Sequence, residues 1–351
     1  MFHLILTACL ATNAAICGPV LLPKGDAATL SACQAGAARI SEDWLSQQPQ
    51  LIGAGAECHK NSAVSAVQLH QIAPGIWVRQ GEIAQITAEN RGRIANLAVV
   101  IGDARVAVID AGSSRSEGQA LYAAIRRLTD KPISHLVLTH LHPDHVFGAS
   151  VFAEAGASVT ASERMPQAMQ ARGASYLANM LRILGPAEMM GTAITPPDLL
   201  VTDGLSIDLG GRDLRLATVA TAHTDNDLVA RDSTTGTLFT GDLVFRGLTP
   251  VIDGSISGWL LWMEEGPGDA GLVVPGHGEV AEDWKLAVAK QYDLLIKLAG
   301  LVRDAIAAGK PMSVTVPEIV GALQAARGEW VAFDETIARD ATAAFKELEW
   351  E

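Results

Sequence analysis

The sequence lacks a continuous apolar run of the roughly 20 residues that a membrane-spanning helix requires. Basic residues are also scarce, because 26 Lys and Arg stand against 39 Asp and Glu, which gives a formal net charge of -13. No stripe of Lys or Arg interrupts this balance, and such a chain repels a phosphate backbone. These absences argue against a membrane span and against nucleic acid as a partner. They favour a small substrate that is neutral or cationic.

Low-complexity tracts and repeats of fixed period are missing as well, which argues against a solenoid. The sequence instead has 351 residues, of which 49% are hydrophobic, and a positive mean hydropathy. That composition is sufficient to bury one large core or two modest ones, and it excludes a disordered polymer. We therefore expect a globular protein.

Residues 1–16 contain an apolar stretch from Leu4 to Leu10 that is followed by small residues, a pattern typical of a secretory signal. No Lys or Arg precedes the stretch, and an ordinary buried strand or helix is the alternative. The signal hypothesis predicts cleavage near Ala14 or Ala15 and a periplasmic or secreted protein.

Cleavage there would discard Cys9 and leave Cys17, Cys33 and Cys58 at the start of the mature chain, in an extension over residues 17–65. In an oxidising compartment, three cysteines predict one disulfide, with Cys33–Cys58 as one of three pairings, and one free thiol. Alternatively, the cysteines are small buried apolar residues.

Short apolar runs bounded by turn residues begin after residue 66 and predict β-strands. In the first half they lie at residues 67–72, 76–79, 94–101, 106–110 and 133–139, with an amphipathic helix at 117–128. In the second half they lie at residues 205–208, 214–219, 228–231, 237–240 and 271–274, followed by a helix at 282–308. Two β-rich halves with flanking helices predict an α/β fold, an αββα sandwich of two mixed β-sheets. The catalytic domain then covers residues 66–285, and residues 286–351 form a C-terminal helical segment that packs on it.

Four candidate metal ligands directly follow the predicted strand at 133–139: His140, His142, Asp144 and His145. Imidazole and carboxylate suit Zn²⁺ or Fe²⁺, and Pro143 restricts the turn in which these side chains lie. A polar turn with solvated histidines is the alternative.

Three further candidates lie just past later predicted strands: His223, Asp242 and His277. Glycine flanks two of them and lets backbone approach closely. Any one of these residues alone would be an ordinary loop residue. Together with the first four they form a set of seven candidate ligands.

This set, preceded by Asp110-Ala111-Gly112, resembles the metallo-β-lactamase superfamily over about residues 66–285. The resemblance implies that one Zn²⁺ has three imidazole ligands: His140, His142 and His223. It implies that a second Zn²⁺ has two imidazoles and a carboxylate: Asp144, His145 and His277. Asp242 would bridge the two ions, for which iron or manganese are alternatives. Because Asp stands where one β-lactamase group has Cys, the set is more similar to glyoxalase-II-like and lactonase-like hydrolases.

The resemblance also implies a mechanism, in which a metal-bridging hydroxide attacks an ester, thioester, lactone or amide. Asp144 would orient the hydroxide as well as bind metal, and Asn226 would be an additional donor to the oxyanion. Thr139, Thr224 and Asp110 are candidates for orienting the ligand imidazoles. The sequence therefore predicts a metal-dependent hydrolase with a small-molecule substrate.

The cysteine-containing extension and the segment at residues 72–76 are similar to the quinoprotein relay system zinc metallohydrolases. That resemblance implies export and a periplasmic quinone-cofactor dehydrogenase as a partner. Three alternatives stay open: a true β-lactamase, a di-iron redox enzyme and a metal-binding assembly factor for such a dehydrogenase. Substrate specificity is assigned to residues 163–199 and 244–262, where Arg246, Trp259 and Trp262 are either pocket residues or, more simply, surface and core residues.

Overall fold

The protein is described by a computed structural model that covers residues 1–268 and 270–351. An N-terminal unit precedes the predicted catalytic domain. It comprises β1 (Phe2–Leu10), β2 (Asn13–Ala27), α1 (Leu30–Leu45) and β3 (Leu51–Lys60). The strands form an antiparallel sheet in the order β2-β1-β3, and α1 packs on β3. Leu4, Leu6 and Ala8 of the central strand β1 are buried in the core of this unit.

Two disulfides close the N-terminal unit, Cys9–Cys17 across the β1–β2 hairpin and Cys33–Cys58 between α1 and β3. The predicted Cys33–Cys58 pairing is confirmed. In the full chain Cys17 pairs with Cys9, which lies opposite it in the hairpin register, so no free thiol is present among the described residues; the free thiol expected after removal of Cys9 stays a prediction. Residues 1–16 belong to two paired strands, as in the buried-strand alternative. Cleavage near Ala14 or Ala15 would remove β1 entirely, and the signal hypothesis stays a prediction.

The first sheet of the sandwich contains seven strands in the order β10-β9-β8-β7-β6-β5-β4. Its strands and helices are β4 (His70–Ala73), β5 (Ile76–Arg79), β6 (Leu97–Ile101), β7 (Val106–Ile109), α2 (Arg115–Leu128), β8 (Ile133–Val137), α3 (Pro143–Val146), α4 (Ala149–Glu154), β9 (Ser158–Ser162), α5 (Met165–Glu188) and β10 (Leu199–Val201). Strands β4 to β7 pair antiparallel, and β7 to β10 pair parallel. The sheet is therefore mixed, as predicted.

The second sheet contains five strands in the order β11-β12-β13-β14-β15. Its strands and the following helices are β11 (Gly204–Asp208), β12 (Asp213–Thr218), β13 (Leu228–Asp232), β14 (Leu238–Phe245), α6 (Ile256–Glu265), β15 (Val273–His277), α7 (Trp284–Ala307), α8 (Met312–Ala322) and α9 (Phe333–Leu348). Only β14 and β15 pair parallel, so this sheet is also mixed.

The two sheets face each other across an apolar core that includes Val100 and Val137 of the first sheet and Leu216 and Phe239 of the second. Helices α2, α4 and α5 cover the outer face of the first sheet, and α6, α7 and α9 cover that of the second. The predicted αββα sandwich is confirmed. No helix within residues 1–268 and 270–351 combines the length and the apolarity that crossing a bilayer requires.

Candidate metal centre

The seven predicted ligands lie together at one edge of the sandwich. Four of them follow β8: His140 and His142 lie in the turn after the strand, and Asp144 and His145 lie in the short helix α3. His277 is the last residue of β15, and Asp242 lies within β14. The prediction that Asp242 lies past a strand end is wrong, because β14 continues to Phe245 after an irregularity at Gly241 (φ 51°). That glycine is required, since a Cβ there would lie 2.5 Å from Thr139 Oγ1.

The side chains form two groups in which the ligand atoms lie within 4.8 Å of one another. The first ligand group contains His140, His142, His223 and Asp242, and the second contains Asp144, His145 and His277. All are buried except His142, which is partly exposed. The structure therefore brings every predicted ligand into the arrangement that the resemblance implies.

Asp242 lies between the two groups. Its Oδ2 is 3.6 Å from Nε2 of both His140 and His223. The same carboxylate lies 3.1 Å from His145 Nε2 and 3.2 Å from His277 Nε2. One buried carboxylate thus faces imidazoles of both groups, which is the position that a bridging ligand requires. Gly276 makes room for it, because a Cβ there would overlap Asp242 Oδ1.

In the first ligand group, each imidazole uses one nitrogen for a partner outside the group. Nδ1 of His140 lies 3.0 Å from Thr139 Oγ1, and Nδ1 of His223 donates to the Val251 carbonyl at 2.7 Å. His142 differs, because its Nε2 donates to Asp253 Oδ2 at 3.1 Å. The other nitrogens converge, and His142 Nδ1 and His223 Nε2 are 3.0 Å apart.

In the second ligand group, His145 Nδ1 donates to Asp110 Oδ2 at 2.7 Å, and His277 Nδ1 donates to the Ile94 carbonyl at 3.0 Å. Their Nε2 atoms lie 3.5 and 3.3 Å from Asp144 Oδ2. Asp110 also accepts hydrogen bonds from the backbone N–H and the hydroxyl of Thr139. Asp110 has a left-handed backbone (φ 58°), an unfavourable conformation for a non-glycine residue that is typical of functional sites.

The unpaired atoms of the site fit metal cations. His140 Nε2, His145 Nε2 and Asp242 Oδ1 are buried and have no hydrogen-bond partner among the described residues. Buried polar atoms without a partner are unfavourable, and converging lone pairs repel each other unless a cation lies between them. The donor set of imidazole and carboxylate suits divalent transition-metal ions. The site residues therefore fit divalent metal ions.

Burial and charge act differently on the two groups. Burial lowers the pKa of His140 well below its ordinary value and lowers that of His223 to about 3, so both imidazoles are neutral at pH 7. Burial also opposes the protonation of His145, but Asp242, Asp144 and Asp110 outweigh it and raise its pKa well above the ordinary value. The second ligand group therefore stabilises positive charge. A bound cation would supply that charge in place of the proton on the imidazole.

Of the three residues predicted to orient the ligand imidazoles, Asp110 and Thr139 contact them, whereas the Thr224 hydroxyl donates to Asp227. The predicted oxyanion donor Asn226 is buried in the loop after β12. Its Oδ1 accepts from the Leu141 N–H at 2.9 Å, and its Nδ2 donates to Asp225. These bonds give Asn226 a role in holding two loops together, and its catalytic role stays a prediction.

A cleft of about 530 Å³ opens onto Asp144, Asp242 and His277. Much of its wall is apolar, with Ile86, Ile94, Ile183, Phe245, Leu248 and Ile252. Tyr176 and Asn179 of α5 also line it, as predicted for residues 163–199, and so does Arg339 of α9, a helix to which the sequence assigned no function. Arg246, Trp259 and Trp262 are absent from the described lining. Trp259 is instead a core residue whose ring packs 5.3 Å from that of His223.

Comparison with known proteins agrees with this geometry. A model of the metallo-beta-lactamase superfamily matches residues 91–291 of the chain. The linear primary-alkylsulfatase of Pseudomonas sp. (strain ATCC 19151) is 40% identical over 45 residues, which are 13% of this chain and 8% of that enzyme. The matched stretch is therefore a small part of that relative.

Solved structures share the fold. The sec-alkyl sulfatase PisA1 superimposes with a TM-score of 0.60 and 15% identity, over 80% of this chain and 50% of that chain. TMB-1 gives a TM-score of 0.51 and 18% identity, over 67% of this chain and 99% of that one. The metallo-beta-lactamase from Pontibacter korlensis gives 0.53 and 19%, over 65% and 98% of the two chains. At these identities the likeness shows the fold alone.

Proposed function

This chain belongs to the metallo-β-lactamase superfamily, and on that premise we propose that it is a dinuclear zinc hydrolase that cleaves an acyl bond. The observation that carries the proposal is the position of Asp242, whose carboxylate faces imidazoles of both ligand groups at 3.1 to 3.6 Å. A carboxylate between two imidazole groups suits two cations a few ångströms apart better than one.

Two bound divalent cations would supply a water of lowered pKa and a Lewis acid that polarises the substrate carbonyl. The residues of the protein itself orient the water and the substrate. Asp144 lines the cleft beside the second ligand group, and the nearby imidazolium charges of His145 and His277 hold its pKa down despite its burial. Its carboxylate is therefore ionised at neutral pH and available to hold a cation or to accept a hydrogen bond from the attacking water. The apolar part of the wall would bind the apolar part of the substrate.

A sulfate-ester hydrolase is the second candidate. It is favoured by the 45-residue match to a linear primary-alkylsulfatase and by the TM-score of 0.60 with a sec-alkyl sulfatase. The acyl-bond proposal is preferred because the cleft combines the ligand set with an apolar wall that suits many acyl chains. Hydrolysis of 4-nitrophenyl sulfate compared with that of 4-nitrophenyl esters distinguishes the two candidates.

We also propose that the protein works in an oxidising compartment, the periplasm or the exterior. The Cys33–Cys58 disulfide, which lies beyond the proposed cleavage site, supports this location, since disulfides are rare in reducing compartments. N-terminal sequencing of protein from the producing cell tests the signal hypothesis, which expects a start between Asn13 and Gly18. An intact Met1 would remove that hypothesis. The periplasmic dehydrogenase partner is a proposal that rests on sequence resemblance alone.

The deciding experiment measures metal content and hydrolysis on the same purified protein. We expect about two zinc ions per chain and turnover of at least one of a panel of 4-nitrophenyl esters, thioesters, lactones and a chromogenic cephalosporin. Esters with neutral and with anionic acyl chains belong in the panel because Arg339 lines the cleft. Full metal loading without turnover of any panel member, including the sulfate ester, would overturn the enzymatic proposal and favour an assembly factor.

A further inference from the structure

Residues 246–255, which we call the ligand loop, connect β14 with α6 and orient two imidazoles of the first ligand group. Val251 accepts a hydrogen bond from His223 Nδ1 at 2.7 Å. Asp253 accepts one from His142 Nε2 at 3.1 Å. These two bonds decide which nitrogen of each imidazole faces the group, so the position of the loop determines the geometry of the ligands.

Ile252, the residue between Val251 and Asp253, is held by a distant part of the chain. Its N–H donates to Asp340 Oδ1 at 2.9 Å, across 88 positions of sequence. Asp340 lies on α9, beyond residue 291, where the match to the superfamily ends. A single carboxylate therefore fixes the peptide whose two neighbours hold His142 and His223.

Core packing does not account for a carboxylate at this position. Asp340 is fully buried, and its Oδ2 has no hydrogen-bond partner among the described residues. A buried carboxylate with only one backbone partner is unfavourable compared with an apolar side chain of similar size. The neighbouring buried positions of α9, Ile337, Ala341 and Ala344, are apolar. Asp340 thus differs from its neighbours in what it contributes, a hydrogen-bond acceptor for the ligand loop.

Other contacts hold the same loop to the C-terminal segment. The backbone N–H and the hydroxyl of Thr249 both donate to the Val331 carbonyl, and Val331 N–H donates to the Gly247 carbonyl. Glu347 of α9 accepts from the N–H groups of Ile256 and Ser257 at the start of α6. The loop is therefore fixed at its start, its middle and its end, and Asp340 makes the contact nearest to the imidazoles.

We propose that Asp340 is a positioning residue for the first ligand group, which it orients through Ile252 without touching metal or substrate. This inference rests on the proposed metal binding for its functional meaning. It predicts that loss of the acceptor weakens metal binding at the first ligand group, whereas the second group, whose imidazoles are held by Asp110 and Ile94, is unaffected.

The test compares three substitutions in the full-length protein. Asp340→Leu removes the acceptor but fills the site with an apolar side chain, so the fold is kept. Asp340→Asn keeps an oxygen that accepts the Ile252 hydrogen bond. Ile337→Ala is the matched control, because it removes buried packing from the same helix without removing a hydrogen-bond acceptor of the ligand loop. Competition with a chelator measures the affinity of each zinc step.

We expect Asp340→Leu to weaken one of the two zinc steps by about 10-fold to 100-fold, the usual effect of removing a group that orients a ligand. Asp340→Asn should restore it, and Ile337→Ala should leave both steps unchanged. Unchanged zinc affinities in Asp340→Leu would overturn the inference. Equal losses in Asp340→Leu and Ile337→Ala would also overturn it, because they would show a role in stability alone.

A second measurement is independent of metal. Nitrogen-15 NMR of the metal-free protein reports the tautomer and hydrogen bonding of His142 and His223. Asp340→Leu should change these signals and leave those of His145 and His277 unchanged. If the wild-type protein binds no zinc, the proposed function fails, yet a selective change in His142 and His223 still supports the positioning role. Unchanged histidine signals in Asp340→Leu would overturn that role whether or not zinc binds.

Discussion

Two imidazoles of the first ligand group, those of His142 and His223, take their orientation from the ligand loop, whereas the imidazoles of the second group take theirs from residues beside the central strands. His145 and His277 are held by Asp110, directly after β7, and by the Ile94 carbonyl shortly before β6. His142 and His223 are held by Asp253 and Val251, on a loop that α9 fixes from the far end of the chain. The two halves of one centre thus depend on different parts of the fold.

The two supports also differ in burial. Asp110 is buried, and it accepts three hydrogen bonds, from His145 and twice from Thr139. The side chain of Asp253 is 34% exposed and is shared between His142 and Arg172 of α5. A buried, fully used carboxylate resists displacement more than an exposed one that has competing partners. The Asp110 support of the second group is therefore more buried and has fewer competing partners than the Asp253 support of the first group, so we expect its substitution to have the larger effect.

Loss of Asp242, the one residue that both groups share, should have the largest effect. Asp242→Ala should lower zinc from about two per chain towards one, because the second group then has only Asp144, His145 and His277. Hydrolysis of the best ester should fall by several orders of magnitude, since both cations are needed. Metal analysis and initial rates measure both effects. Asp208→Ala, at an exposed position of β11, is the control. Two zinc ions and near-normal rates in Asp242→Ala would refute the dinuclear mechanism.

Substitution of the two supporting carboxylates should separate the groups. Asp110→Ala should weaken the zinc step of the second group by about 10-fold to 100-fold, because it frees the His145 ring. Thr139 Oγ1 can still accept the hydrogen bond of His140 Nδ1, so the first group should change little. Asp253→Ala should weaken the first group less, by about 3-fold to 10-fold, since exposed charge contacts contribute less. Chelator competition on both variants measures the steps. The comparison fails if the two variants weaken the same step.

Much of the fold and all seven candidate ligands were predictable from sequence because their signals are local. Alternating and continuous apolar runs mark strands, and His140, His142, Asp144 and His145 occur within six positions. The extent of β14 beyond Thr240 was missed, since the Gly241 irregularity interrupts the pattern. Local signals therefore indicated which residues come together at the candidate site but not how each strand continues.

The hydrogen bonds that hold the ligand imidazoles in place were not predictable from sequence, because they depend on contacts between residues that are far apart in the chain. Asp253 lies 111 positions from His142, and Asp340 lies 88 positions from Ile252. A charged helix at the C-terminus has the same pattern whether its buried carboxylate holds a loop or not. Similarly, the apolar stretch Leu4 to Leu10 fits a signal and a strand equally, and its pairing with β2 and β3 is not visible in the local pattern. Contacts between residues that are far apart in the chain leave no periodic pattern in the local sequence that could predict them.

A smaller effect is expected in the pH dependence of protein stability. It concerns Asp340, which holds the ligand loop beside the first ligand group. Burial raises the pKa of Asp340 to about 7. The folded protein therefore binds this proton more tightly than the unfolded chain, so stability falls as pH rises from about 4 through about 7 and is level above that. Asp340→Asn removes this contribution, which is on the order of a few kcal/mol at most.

Thermal unfolding of wild-type protein and Asp340→Asn between pH 5 and pH 8 measures this contribution. The variant should lose less stability than the wild type over that range. Asp227, whose pKa burial raises to about 8, contributes with the same sign in both proteins and cancels in the comparison. Identical pH profiles would show that Asp340 does not hold its proton in the folded state as described.

Removal of the Cys33–Cys58 disulfide should have the smallest effect on the metal centre, because the N-terminal unit contributes no residue to either ligand group within the described chain. The double variant Cys33→Ala and Cys58→Ala should lose about 3 kcal/mol of stability, as expected for a loop closed over 25 positions. Both zinc steps should stay within about two-fold of wild type. Chelator competition, run well below the unfolding temperature of the variant, measures them.

A selective loss of the first zinc step would mean that the ligand loop is sensitive to any weakening of the fold. The difference between the supports of the two groups would then reflect global stability rather than the contact from α9, and the metal affinities of Asp340→Leu would need the same correction.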